Sequence, residues 1–215
     1  YTGQLDTHDY AFVCYQKIIG TSLTREIYQA FSEEQKRSVA NDLARFIQHM
    51  HRTLYVEQAN NFGVQPATWP PLPAVLTHNV HALFAEQEFA DISREECERL
   101  QKICQEIVIA YGRVELTENS SDVVVLHDDL WGGNILINEK TGSVRGILDF
   151  DEIATGSRWR EFRYLFLVDY ELAHAVIRGY IRLTQLAIEE ARACEYAYCY
   201  YRATECARLC EAKEQ

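Results

Sequence analysis

The sequence predicts a mainly α-helical domain with a small β-hairpin inserted in it, and three observations carry that prediction. Apolar residues recur at helical spacing over residues 33–54, and a second long helical pattern runs from Thr184 to about Ala212. Short β-like runs are confined to residues 123–150, between those two stretches. The 215 residues, 47% of them apolar and 25% charged, suffice for one sizeable core.

The elements follow in chain order. In AFVCYQKIIG, residues 11–20, Phe12, Val13, Cys14 and Tyr15 read as a short buried strand, and Gly20 ends the connection after it. SEEQ at 32–35 has capping-box form, with Ser32 and Gln35 exchanging side-chain bonds to each other's backbone. Behind it Val39, Leu43, Phe46, Ile47, Met50 and Leu54 make one apolar stripe, so a single long helix is expected. PATWPPLP at 66–73 fits neither helix nor central strand and reads as a surface connection. SREE at 93–96 is a second capping box, followed by Cys97, Leu100, Cys104 and Ile107 on one face. VVVL (123–126), NILI (134–137) and VRGILDF (144–150) are the β-like runs, with NEKTGS as a hairpin turn between the last two. EYAYCYYR at 195–202 belongs to the last helical stretch, where its tyrosines read as packing.

Composition narrows the function classes. A net charge of −11 and a pI near 5.1 argue against nucleic acid and anionic membranes as partners. No apolar run is long enough to span a bilayer. YTGQLDTHDY does not read as a signal peptide, and without an initial Met it reads as the start of a fragment. The seven cysteines include no CxxC pair, which points to packed thiols in a reducing cytoplasm rather than to zinc ligands.

The polar residues of the β region carry the chemistry. Asp129, Asn134 and Asp149 flank a predicted hairpin, which brings the start of one strand close to the end of the next. An amide oxygen and a carboxylate facing one point suit Mg²⁺, which keeps its other places for water and phosphate. Asp129, a loop-length away, is placed to orient a hydroxyl and take its proton. The spacing is that of a kinase catalytic loop followed by a metal-binding Asp.

HDDLWGGNIL and VRGILDFDE together resemble the aminoglycoside phosphotransferase family of small-molecule kinases, which choline and fructosamine kinases also approach. YQKIIG is similar to that family's hinge strand, and IQHMHRTL to the end of one of its helices. The resemblance implies a protein-kinase-like C-terminal lobe over residues 21–215, with residues 1–20 as the hinge strand and remnant of an N-terminal nucleotide lobe. It implies Asp129 as catalytic base, Asn134 and Asp149 as Mg²⁺ ligands, and His127 as a structural brace. It further implies that the backbone of Gln16 and Ile18 meets the adenine of ATP or GTP. Asp128 stands where the family usually has Gly, and Glu161 where it has an Asp; GSRWREFRYL departs from the family's pattern around that position.

The expected partners are therefore a nucleotide and a small molecule bearing a hydroxyl. Residues 115–161 hold ten Asp or Glu against four Lys or Arg, which suits a cationic acceptor such as an aminoglycoside. Glu152, Asp169 and Glu171 match acidic drug-contacting positions in some family members. No Gly-rich phosphate loop is present, and Lys17 is the sole Lys before residue 36. The alternative is thus a kinase-like lobe that binds a ligand or partner without turnover.

Overall fold

Two reciprocal caps start the two longest amphipathic helices. Ser32 Oγ accepts the Gln35 N–H while Gln35 Oε1 accepts the Ser32 N–H, which opens the helix Glu33–Thr53. Ser93 and Glu96 make the same exchange at the start of Arg94–Thr117. In the computed structural model, which describes residues 2–5, 8–11, 16–85, 93–117 and 122–211, eight α-helices, two short 3₁₀ helices and seven strands are assigned among the described residues. The α-helices are α1 (Arg25–Ala30), α2 (Glu33–Thr53), α3 (Val56–Asn61), α4 (Pro73–Ala85), α5 (Arg94–Thr117), α6 (Leu165–Val168), α7 (Tyr170–Thr184) and α8 (Glu190–Glu211). The strands are β1 (Thr2–Leu5), β2 (His8–Ala11), β3 (Thr21–Ser22), β4 (Val123–Leu126), β5 (Ile135–Ile137), β6 (Val144–Ile147) and β7 (Ala154–Ser157).

Helix pairs supply the core. The stripe Val39, Leu43 and Ile47 of α2 is fully buried, as are Leu172, Val176 and Ile177 of α7, the helix it packs against. Helix α5 turns Cys104, Val108, Tyr111 and Val114 inward against α4 and α8. The tyrosines of α8 pack, as their sequence context suggests: Tyr200 meets Tyr111 at 5.4 Å between ring centroids, and Tyr198 and Tyr201 gather on Phe166.

The β structure is divided into three small sheets. β1 and β2 form a hairpin, β3 adds to the β5–β6 hairpin, and β4 pairs antiparallel with β7. The turn between β5 and β6 needs its glycine. Gly142 sits at φ +69°, and a Cβ there would come within 2.4 Å of the Gln35 carbonyl oxygen. Helix α2 holds this hairpin from behind, because Gln35 Nε2 donates to the Glu139 carbonyl and Asp42 accepts the Val144 N–H.

Several expectations need correction. The run 144–150 is strand only through Ile147, because Asp149 adopts a left-handed φ of +66° that no extended ladder accommodates. VVVL forms its strand by pairing with ATGS at 154–157, which sequence reading does not single out because it lacks apolar alternation. The last helix does not begin at Thr184: Gln185, at φ +56°, ends α7, and α8 starts at Glu190. The expected strand Phe12–Tyr15 lies outside the described residues, and residues 16–20 carry no regular structure.

Candidate active site

Strand β4 delivers His127, Asp128 and Asp129 from its buried end into a loop that the rest of the core surrounds. His127 is fully buried, and both ring nitrogens and its backbone N–H have partners. Its backbone N–H donates to Glu161 Oε2 at 2.9 Å, and its Nε2 faces the Leu148 carbonyl at 2.9 Å. The Asp129 N–H donates to His127 Nδ1 at 3.3 Å, so the partners assign the tautomer protonated on Nε2. The Phe150 ring covers the imidazole, with centroids 4.6 Å apart. The imidazole thus ties the loop after β4 to the end of the β5–β6 hairpin.

Asp129 and Asn134 face each other directly. Asn134 Nδ2 donates to the Asp129 carboxylate at 2.8 Å and to the Asp129 carbonyl at 3.0 Å. A single 3₁₀ turn, Gly132–Asn134, makes this contact possible by folding the chain back over five residues. Gly132 is required there, since a Cβ would lie 2.0 Å from the Leu23 carbonyl oxygen. Partial burial raises the proton affinity of Asp129; the Asn134 bond and Arg163 oppose that rise, and Asp128 adds to it.

The hairpin brings Asp149 to the same place. The Leu148 N–H donates to the Asn134 carbonyl at 2.9 Å, so Asn134 and Asp149 are neighbours across the strand ends. Asp149 is exposed, and its pKa is raised by the adjoining Asp151 carboxylate, by slight desolvation and by Asp129. Like charges crowded around Asp149 fit a position that a cation would relieve. Asn134 Oδ1 and the Asp149 carboxylate are hard oxygen donors that could hold a Mg²⁺ ion if water and phosphate completed its shell. Among the described residues no group of three or more His, Cys, Asp or Glu is arranged to hold a metal by itself.

Sequence reasoning gives Asp128 no role, and the structure supplies one. Asp128 takes φ +64°, the left-handed region where Gly is free and Asp is among the better-tolerated L-residues. Its carboxylate accepts from Arg160 Nε at 2.7 Å and Arg160 Nη2 at 2.9 Å, and also from Arg163 Nη1. Arg163 Nη2 closes on the Asp128 carbonyl at 2.6 Å. Both arginines are buried. Burial alone would lower the proton affinity of Arg163, but Asp128 and Tyr164 outweigh it and the net shift is upward. Arg160 and Arg163 come from GSRWREFRYL, the stretch that departs from the family pattern.

Glu161, in the same turn, is 1% exposed and joins the loop to α2 and α7. His51 Nε2 lies 3.5 Å from Glu161 Oε2, and His51 Nδ1 meets the Tyr180 hydroxyl at 2.9 Å. The Tyr180 hydroxyl in turn accepts from Arg158 at 3.2 Å. No local periodicity could reveal these partners, which lie 22 to 129 residues apart in sequence.

Asp169 caps α7 by accepting the Glu171 N–H at 2.8 Å, and Glu171 lies 3.9 Å from Lys36. Glu152 is exposed. Gln16 is exposed, while the Ile18 side chain covers Gly146 of β6. Trp131 is 47% exposed beside Asp129, with its indole lying against Gly133.

Comparison with known proteins adds the family. The profile described as "Phosphotransferase enzyme family" matches residues 2–196. No curated protein sequence matches the chain. Among solved structures, the GDP complex of aminoglycoside 2'-phosphotransferase-IIIa superposes with a TM-score of 0.75 at 19% identity, over 100% of this chain and 67% of that one. The streptomycin–ATP complex of APH(2")-IIa gives 0.57 at 16% identity, over 84% and 59% of the two chains. The macrolide 2'-phosphotransferase MphH from Brachybacterium faecium gives 0.58 at 13% identity, over 94% and 64%. The chain therefore spans about two thirds or less of each of these three, and at such identities the likeness establishes the fold.

Proposed function

Because the chain belongs to the phosphotransferase enzyme family, we propose that it is the catalytic lobe of a kinase that phosphorylates a small, cationic molecule on a hydroxyl group. The donor is ATP or GTP, and the favoured acceptor is an aminoglycoside-type antibiotic. The observation that carries this reading is the Asp129–Asn134 pair set against Asp149 by the Leu148–Asn134 bond. The neighbours support the donor and acceptor classes, since they include complexes with GDP, with ATP and streptomycin, and with GDP and kanamycin.

In this reading Asp129 orients the acceptor hydroxyl and takes its proton as the O–P bond forms. Partial burial makes its carboxylate a stronger base than an exposed one, and Asn134 fixes its rotamer. His127 braces the loop, and the Asp128 clamp holds the backbone from which Asp129 projects. Asn134 Oδ1 and Asp149 would hold Mg²⁺, the amide nitrogen being committed to Asp129. Bound there, the ion would neutralise charge on the donor phosphates. Residues 1–20 form the hinge and the edge of a nucleotide lobe, with Gln16 and Ile18 along the adenine. Glu152, Asp169 and Glu171 are offered to the amines of the acceptor. Free thiols and the acidic charge agree with a cytoplasmic enzyme, and among the described residues no helix is long and apolar enough to cross a membrane.

The deciding experiment uses the full-length protein with a radiolabelled donor and a panel of aminoglycosides, macrolides, choline and ketosamines. Transfer to an aminoglycoside is expected, and Asp129→Ala should lower it by about 10²–10⁴-fold with donor affinity little changed. Transfer to none of them, with the donor still bound, would instead establish a binding module.

A further inference from the structure

A cavity of about 830 Å³ lies between the β4–β7 sheet and the stretch that runs from α3 into α4. Asp129, Asn134 and Asp149 take no part in its lining. Val56, Pro66, Pro70, Leu72, Val75 and Val123 give it apolar walls, and Arg160 is the one charged residue in its lining among the described residues. The wall is fixed in place. The Ala67 N–H donates to the Thr155 carbonyl at 2.8 Å and the Thr155 N–H to the Gln65 carbonyl at 3.0 Å, which pins the proline segment to β7. Arg160 is 3% exposed, and its guanidinium has two unlike sides. Nε and Nη2 are taken by Asp128, which turns Nη1 away from that carboxylate. Nη1 makes no bond among the described residues, yet it is not sealed off: it opens to the cavity. Thr155, 5% exposed, brings to the same lining a hydroxyl that also has no bond among the described residues. Asp128 is one carboxylate shared by two buried guanidinium groups, so the clamp keeps one positive charge over. The Glu161 carboxylate is directed to the His127 N–H and to His51.

We propose that this cavity is a binding site for a small apolar molecule bearing one carboxylate, whose charge meets Arg160 Nη1. A guanidinium N–H bordering apolar walls holds an anion well, because little water competes for it there. The volume is that of a pocket for a drug-sized body, and a wall already pinned to β7 costs little ordering when the ligand arrives. One leftover charge matches one carboxylate. A phosphate dianion would bring a second negative charge against apolar walls with no cation to meet it. The Thr155 hydroxyl is available to the second carboxylate oxygen. The sign of this ligand is opposite to that of the acceptor proposed for the Asp129 site, so the two sites select different molecules.

The test titrates the full-length protein with naphthoate by calorimetry, with naphthylmethanol as the uncharged analogue. Naphthoate is expected to bind with a Kd of about 0.1 mM, at least about tenfold tighter than the alcohol. Arg160→Met should weaken naphthoate by about tenfold or more. If that variant does not fold, Val75→Glu decides. Val75 is 48% exposed on the cavity wall, so a carboxylate there repels the probe without disturbing the core. A several-fold loss of naphthoate affinity is expected with thermal unfolding unchanged. Saturating Mg²⁺–ATP or kanamycin should not displace the probe. Absence of binding, equal binding of the alcohol, unaltered affinity in Val75→Glu, or displacement by the nucleotide or kanamycin overturns the proposal. None of these readouts depends on phosphoryl transfer, so the site stands or falls separately from the enzymatic reading.

Discussion

Asp128 shows how far a single residue can depart from what spacing suggests. Read along the chain it is one of two adjacent carboxylates, and nothing marks it as the partner of arginines 32 and 35 residues away. The nearness of Asp129 and Asn134 is legible because five residues separate them within one loop; the partners of Asp128 are not, because charge pairing has no period. Its removal should be severe. Asp128→Ala leaves two buried guanidinium groups without their counter-charge, and a loss of about 3–5 kcal/mol in urea unfolding is expected. Replacing Arg163 by Met in the same background should recover part of that loss, and strictly additive losses would contradict a shared network. A second prediction concerns Cys194, whose thiol is pushed up to about 11 by burial and by Glu190. At pH 8 roughly one thiol in a thousand is ionised there, so iodoacetamide should label Cys194 far more slowly than an exposed thiol. Labelling should accelerate through pH 10, and equal rates for native and urea-unfolded protein at pH 8 would show that the thiol is not shielded.

At the scale of elements, the parts announced by side-chain chemistry are the ones that sequence predicts well. Both capping boxes form, α2 runs within a residue of its expected end, and the glycine turn of the β5–β6 hairpin is where NEKTGS places it. The failures share a different cause. Strand β7 is Ala-Thr-Gly-Ser, which has no apolar alternation and exists because β4 offers it a ladder. The break after Thr184 rests on a left-handed Gln185 followed by Leu-Ala-Ile, a run that reads as continuing helix. Element junctions also carry predictions. Ser32→Ala removes the α2 cap and should cost about 1 kcal/mol by thermal or urea unfolding. Gly132→Ala forces a methyl group onto the Leu23 carbonyl, so β3 must part from the 3₁₀ turn. Lower Tm and lost transfer are expected together, and a fully active, equally stable Gly132→Ala enzyme would show that the contact is dispensable.

Across the whole molecule the acidic balance is legible in composition alone, while its use is a matter of arrangement. With a net charge of −11, long-range attraction should favour a cationic acceptor at low ionic strength. In the full-length enzyme the KM for an aminoglycoside should therefore rise several-fold between about 0.01 M and 0.3 M salt, as the screening length falls. A neutral polyol acceptor should show little change, and equal salt sensitivity would remove charge from the account of recognition. The tertiary frame behind the His127–Asn134 loop escapes sequence reading because its ties run between α2, α7 and the 158–162 turn, each of which is ordinary when read alone. The Asp128 clamp also constrains how such a loop can change over evolutionary time. With Gly in place of Asp128, Arg160 and Arg163 would have no carboxylate to meet, whereas with Asp there each arginine has a buried counter-charge to keep. The three positions therefore form an epistatic unit: a substitution that is harmless in one background is damaging in the other, and a viable route between the two runs through paired changes.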